Sequence, residues 1–142
     1  MTTKAFLDTN VLVYAFESST QSIASARAEL ARQLIADGPC ISVQVLNEFV
    51  RVAKRKLKFD ASKTSEALNT IYAVCGQVTP VTFDLHSLGV SLCWRYGFEI
   101  FDSVILASAI TAGGTIFYTE DLQHGQIIEG LRIVNPFKEA GN

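Results

Sequence analysis

The sequence predicts an α/β fold in which one parallel β-sheet is covered by helices on both faces. Two observations carry that reading. Short apolar segments of strand character alternate with longer segments of helical periodicity, and Gly, Pro and Asp punctuate the joins. Crossovers between parallel strands usually carry a helix, so this alternation selects a parallel sheet.

Each element has its own local reason. Ala5, Phe6 and Leu7 form a short apolar strand that leads through Asp8, Thr9 and Asn10 into a helical turn or two over residues 11–16. A helix over Ser22–Ala36 is rich in Ala, Leu, Arg, Gln and Glu and stops at Asp37-Gly38-Pro39. Cys40–Ser42 is the next strand, and Ser42 is placed to cap the helix that follows. In that helix Val43, Leu46, Val50, Ala53 and Leu57 recur at three- and four-residue spacing and predict the core-facing stripe. Ala61–Val74 is a further helix stopping near Gly76, and residues 77–81 read as an edge strand because Pro80 has no N–H for a ladder. Phe83–Tyr96 and residues 101–112 are helical, with Gly113 and Gly114 ending the second, and residues 115–118 and Leu131–Val134 are strands. Repeats, low-complexity tracts and linkers are absent.

At 142 residues, 49% hydrophobic and 18% charged, the chain is suited to one globular domain with a sizeable core. No apolar run approaches the roughly 18 residues that span a bilayer. The chain enters its first strand without a charged and apolar leader, so a cytoplasmic protein with no membrane contact is expected. Cys40, Cys75 and Cys93 are odd in number, far apart and set among apolar residues, which reads as free buried thiols in a reducing compartment. The formal net charge of −2 denies the molecule the overall basic character of many nucleic-acid binders. A local basic run survives: Arg51, Lys54, Arg55, Lys56, Lys58 and Lys63 are six of the twelve Lys and Arg residues. Two readings of it stand, a helix end complementing its dipole and a phosphate-binding rim.

The acids carry the chemistry. In a parallel sheet with antiparallel helices, strand C-termini and helix N-termini share one edge, where ligand sites lie. Asp8 follows the first strand, Glu48 sits in the second turn of the Ser42-capped helix, Asp102 opens a helix, and Asp121 follows the strand at 115–118. All four reach that edge. Singly, Asp8 reads as a turn residue, Asp102 as a helix N-terminal acid, Glu48 as a partner for Arg51, and Asp121 as a loop residue beside Glu120. Together they crowd negative charge onto one edge, and gathered carboxylates repel and raise one another's pKa unless a cation offsets the cost. Oxygen donors favour Mg²⁺ or Mn²⁺, whereas zinc prefers His and Cys, and His86 and His124 are not spaced as a ligand pair. Such an ion suits hydrolysis of a phosphodiester by activated water without a side-chain nucleophile.

Four segments carry a family resemblance. FLDTNVLVYA (6–15), LNEF (46–49), FDSVILASA (101–109) and YTEDL (118–122) resemble, in order and spacing, the acidic motifs of PIN-domain ribonucleases, and most closely VapC toxins of type II toxin-antitoxin pairs. The first motif is fairly specific and the others gain weight as a set. The resemblance covers essentially the whole chain and implies a single PIN-like domain over 1–142. It further implies that Asp8 and Asp102 bind the metal, with Glu48 and Asp121 completing the acidic pocket. Thr9 would help position metal, water or the scissile phosphate, and Thr119 would support Asp121. Arg51, Lys54 and Arg55 would hold RNA phosphates at the rim. RNA substrate, a homodimer, and a cognate antitoxin through which the complex meets DNA are likewise what the family implies. Ser103 departs from the small apolar residue common after the third acid, and the fourth acid is Asp121 or its neighbour Glu120, with Asp121 at the family spacing.

Other residues invite roles with plain alternatives. Trp94, Tyr96 and Phe98 offer base stacking or core and dimer contacts, and His124 offers a proton donor or a loop residue fixed by hydrogen bonds. Two rival functions remain. A receiver-like signalling domain would need paired early acids and a Lys after a late strand, whereas Asp8 stands alone and Lys138 lies in the tail. A non-catalytic PIN-like binding module would tolerate loss of an acid, and all four positions are filled.

Overall fold

A computed structural model describes residues 3–18 and 21–138. The elements run β1 (Ala5–Leu7), α1 (Thr9–Ala15), α2 (Ser22–Ala36), β2 (Cys40–Ser42), α3 (Val43–Arg55), α4 (Ala61–Val74), β3 (Gln77–Thr79), α5 (Phe83–Tyr96), α6 (Ile100–Thr111), β4 (Ile116–Tyr118), β5 (Ile127–Ile128) and β6 (Leu131–Val134). The sheet order is β3-β2-β1-β4-β6-β5, and every neighbouring pair is parallel except β5 with β6. The predicted α/β architecture is what the chain adopts, with helices packed over both faces of the sheet.

Chain order reverses its direction across the sheet between β1 and β4. From β1 the chain builds outward through β2 to β3, then returns to lay β4 against the other side of β1. The crevice at such a switch point is where an open parallel sheet offers a ligand site. Register decides what stands there. Phe6 pairs with Phe117 and Leu7 with Tyr118, so the next residues, Asp8 and Thr119, emerge side by side.

Two sequence expectations change. The strand β5 was not predicted: Ile127–Ile128 is only two residues long, and its hairpin with β6 turns through Glu129 and Gly130, both at positive φ. A segment that short has no periodicity to read. The second change concerns α3, whose fully buried side chains are Val45, Phe49 and Ala53, while Val50 of the predicted stripe is exposed. At 100° per residue, the buried arc is rotated by roughly 80° from the predicted one. The helix carries apolar residues around much of its circumference, so spacing alone admits both arcs. Rotation matters for function, because it moves Glu48 from the far side of the helix to the margin of the buried face.

Side-chain caps hold two of the helix starts that face the site, those of α1 and α3. Ser42 Oγ accepts from the Val45 N–H at 3.1 Å, as its sequence position predicts. Phe6, Phe49 and Phe117 are among the largest fully buried side chains and tie β1, α3 and β4 into one core. Gly89 lets α5 lie against α6: a Cβ there would stand 2.9 Å from Val104 Cγ2 and 3.2 Å from Val104 Cα. Cys40 is buried, Cys75 and Cys93 are half-buried, and all three are free thiols. Burial pushes the Cys75 thiol up to about 11, which leaves it protonated and unreactive. No described helix is long and apolar enough to cross a membrane.

Candidate active site at the sheet switch point

Asp8 is the anchor of the site. It caps α1, its Oδ1 accepting from the Thr9 N–H at 2.7 Å, and its Oδ2 accepts from the Thr119 hydroxyl at 2.8 Å. Only 5% of it is exposed. Burial raises its pKa from 3.8 to about 7 against the lowering effect of those two hydrogen bonds, with the charges of Asp102 and Asp121 raising it further. The cap reading of Asp8 and the functional reading are therefore both true of the same carboxylate.

The other acids gather around it from three elements. Glu48 on α3 accepts from Thr9 Oγ1 at 3.2 Å and from Gln44 Nε2 at 3.2 Å. Asp102 is the third residue of α6, in the first turn where the helix dipole favours a negative charge. Its pKa is nonetheless raised, first by burial and then by Glu48, Asp121 and Glu99. Asp121 lies two residues beyond Thr119; its Oδ2 accepts from Asn10 Nδ2 at 3.0 Å, and its N–H donates to Thr119 Oγ1 at 3.1 Å. All four carboxylates thus belong to one electrostatically coupled set.

Beside the acids runs a cleft of about 390 Å³ lined by Glu48, Asp102, Glu99, Arg51, Asn47 and Phe101, among others. Arg51 is the member of the basic run that reaches it. Arg55 lies seven residues beyond Glu48 and so shares its helix face. Lys54 projects elsewhere, into a groove with Val50, Phe59 and Leu68.

Three residues of this site were not singled out in the sequence. Asn10 donates to both Asp121 and Thr119, the latter at 3.3 Å. Glu99 is the N-cap position of α6 yet makes no side-chain capping bond. Phe101 is 58% exposed in the cleft, an unusual place for a phenyl ring. Asn10 was within reach of sequence reading, since it completes the Asp8-Thr9-Asn10 triplet. The Ser103 departure has a local cause: the hydroxyl is fully buried and donates to the Glu99 carbonyl at 2.9 Å. His124 is engaged at β6, its Nδ1 accepting from the Asn135 N–H at 3.0 Å. Trp94 is 84% exposed on α5, whereas Tyr96 and Phe98 are half-buried and stacked on each other 5.6 Å apart.

The donor set is all oxygen, which suits a hard divalent cation. Among the described residues, no three His, Cys, Asp or Glu side chains are already arranged to hold one ion. The fit is therefore one of donor chemistry and charge.

The model of the PIN domain family matches residues 5–128. The chain belongs to the PIN domain family. Solved structures with the same fold include a toxin-antitoxin complex from Klebsiella pneumoniae, at TM-score 0.67 and 23% identity over 94% of this chain and 98% of that one. VapC20 of Mycobacterium tuberculosis, described as a Sarcin-Ricin loop cleaving toxin, matches at TM-score 0.58 and 20% identity, covering 83% of this chain and 90% of that one. VapBC2 from Rickettsia felis, bound to a DNA fragment from its promoter, matches at TM-score 0.61 and 20% identity over 91% and 96% of the two chains. No curated protein matches the sequence. At these identities the likeness speaks for the fold, and the PIN domain's activity rests on its own residues.

Proposed function

We propose that this PIN domain is a Mg²⁺- or Mn²⁺-dependent endoribonuclease and the toxin of a type II toxin-antitoxin pair. The observation that carries the reading is the coupling of Asp8, Glu48, Asp102 and Asp121 at the sheet switch point, with buried Asp8 held by Thr9 and Thr119. A fold keeps a carboxylate buried among other acids at a cost in stability. A cation that neutralises them gives the arrangement a use.

Asp8 and Asp102 would be the direct ligands in this proposal, with Glu48 and Asp121 completing the set. The chemistry that such an ion would supply there is polarisation of a phosphodiester oxygen and a water of lowered pKa for in-line attack. The protein's own groups do the positioning. Thr9 bridges the Asp8 turn to Glu48, and Thr119 bridges Asp8 to the Asp121 backbone. Arg51 and Arg55 line the approach for phosphates, with Lys54 further round the helix, and the exposed Phe101 ring offers a face on which an unpaired base can stack. RNA as substrate, a homodimer, a cognate antitoxin that covers the acidic site and brings the pair to promoter DNA, and action in the cytoplasm complete the proposal. Its support is family membership together with structural neighbours described as a toxin-antitoxin complex, as a Sarcin-Ricin loop cleaving toxin and as VapBC2 bound to a promoter DNA fragment.

The runner-up is a non-catalytic PIN-like binding module. Incubation of purified wild type and Asp8→Asn with RNA, in Mg²⁺, Mn²⁺ or chelator, decides between them. Cleavage by wild type with metal, lost with chelator and in Asp8→Asn, is the expected result. RNA bound but uncut under every condition establishes the binding module instead. Inducible expression in a bacterium tests the toxin role: growth arrest by wild type, absent in Asp8→Asn and relieved by the neighbouring reading frame, is expected.

A further inference from the structure

Two carboxylates, Glu120 and Asp121, are adjacent in sequence at the open end of β4, and α1 treats them differently. Asn10 and Tyr14 are four residues apart on α1 and so project from the same helix face. Asn10 Nδ2 donates to Asp121 Oδ2 at 3.0 Å, and the Tyr14 hydroxyl donates to Glu120 Oε1.

Each arm is fixed by its surroundings. Thr119 gives its hydroxyl proton to Asp8, so it meets Asn10 as an acceptor, and the Asn10 amide must present its NH₂ to both Thr119 and Asp121. That orientation leaves Asn10 Oδ1 buried with no partner among the described residues, an arrangement unfavourable to stability. A residue kept only for folding would not require it. Tyr14 is clamped on two sides: the Arg27 guanidinium lies 4.4 Å from its ring centroid, and Phe137 packs edge-on at 5.1 Å. Burial and the bond to Glu120 push the phenol up to about 12, which keeps it a donor.

We propose that Asn10 and Tyr14 are positioning residues that sort the two adjacent carboxylates, Asn10 turning Asp121 into the acidic site and Tyr14 holding Glu120 out of it. The inference rests on the nuclease reading for its consequence, but the sorting itself is a property of the metal-free protein. Glu120 is one methylene longer than Asp121 and shares the same turn of backbone, so once released it can stand in for its neighbour.

Two measurements test this. In metal-free protein, NMR of the Asn10 side-chain amide should shift in Asp121→Asn and not in Glu120→Gln, with the Tyr14 ring resonances doing the converse. Amide and ring resonances indifferent to which acid is changed would overturn the sorting, whether or not the protein is a nuclease. The second measurement is a rescue, read by Mn²⁺ affinity from calorimetry as well as by RNA cleavage. Asp121→Asn should weaken both by about 10- to 100-fold. Adding Tyr14→Phe, which keeps the ring contacts, should recover about tenfold of each through Glu120. A double variant that folds, by its melting temperature, yet binds Mn²⁺ and cleaves no better than Asp121→Asn refutes the proposal. If wild type itself neither binds Mn²⁺ nor cleaves, the functional reading fails and the NMR result alone judges the sorting.

Discussion

At the scale of single residues, Asp8 sets the pH behaviour of the metal-free protein. Its pKa is 3.8 as an ordinary carboxyl and about 7 in the fold. Between those values the folded state holds a proton that the unfolded chain has lost, so stability falls as pH rises from about 4 to about 7 and is level beyond. Asp102, also raised, acts in the same direction. At about 1.4 kcal/mol per pH unit, the Asp8 contribution is bounded near 4 kcal/mol. Asp8→Asn removes the buried charge while its side chain can still accept from the Thr9 N–H. We expect the metal-free variant to melt above wild type at pH 8 and to lose that advantage near pH 4. A wild type more stable than Asp8→Asn at pH 8 without metal would contradict it. Asp8 and its three companion acids were legible in the sequence because they follow strands or lie in the first two turns of helices. Glu99 and Phe101 were not, because their roles depend on neighbours from other elements, and of Asn10 only its place in the Asp8-Thr9-Asn10 triplet was legible, not its bond to Asp121.

At the scale of elements, the site depends on how closely α5, α6 and α3 pack. Gly89→Ala would gain helix propensity of up to about 1 kcal/mol in isolation. Here the added methyl meets Val104 Cγ2 at 2.9 Å and must push α6, with Asp102 at its start, away from α5. A net destabilisation of about 1–3 kcal/mol is expected from overpacking, measured by denaturant unfolding, together with weaker metal binding. A Gly89→Ala protein as stable as wild type would show that the two helices are not in close contact. The α3 helix shows where periodicity runs out. Its start at the Ser42 cap follows from local sequence, but its rotation is set by Phe49 and Val45 seating in the core and by Glu48 meeting Thr9.

At the scale of the whole molecule, the acids are spread over 114 residues of sequence, from Asp8 to Asp121, and come from four places in the fold: the ends of β1 and β4, the second turn of α3 and the first turn of α6. Their repulsion exists only in the folded state, so a cation that relieves it stabilises the fold by mass action. Mg²⁺ or Mn²⁺ at 100 times its Kd should add about 2.7 kcal/mol, seen as a rise in Tm that chelator reverses and Asp8→Asn abolishes. A Tm indifferent to both ions and to chelator would remove the metal from the proposal. The net charge of −2 is no obstacle to the proposed RNA substrate, since Arg51 lines the cleft beside the acids and Arg55 continues the same face of α3 about two turns beyond Glu48.

The sequence by itself determined the alternation of strands and helices, the caps and stops between them, and the placement of four acids at one edge of a parallel sheet. Those are local properties: propensity, periodicity and turn chemistry act within a few residues. Tertiary structure alone decided the register that sets Thr119 beside Asp8, the rotation that brings Glu48 to the margin of the core, and the pairing of Asn10 with Asp121 and Tyr14 with Glu120. These contacts join residues more than 100 positions apart or choose among equally periodic helix faces. Long-range packing and hydrogen bonding select them, and no local pattern encodes that choice.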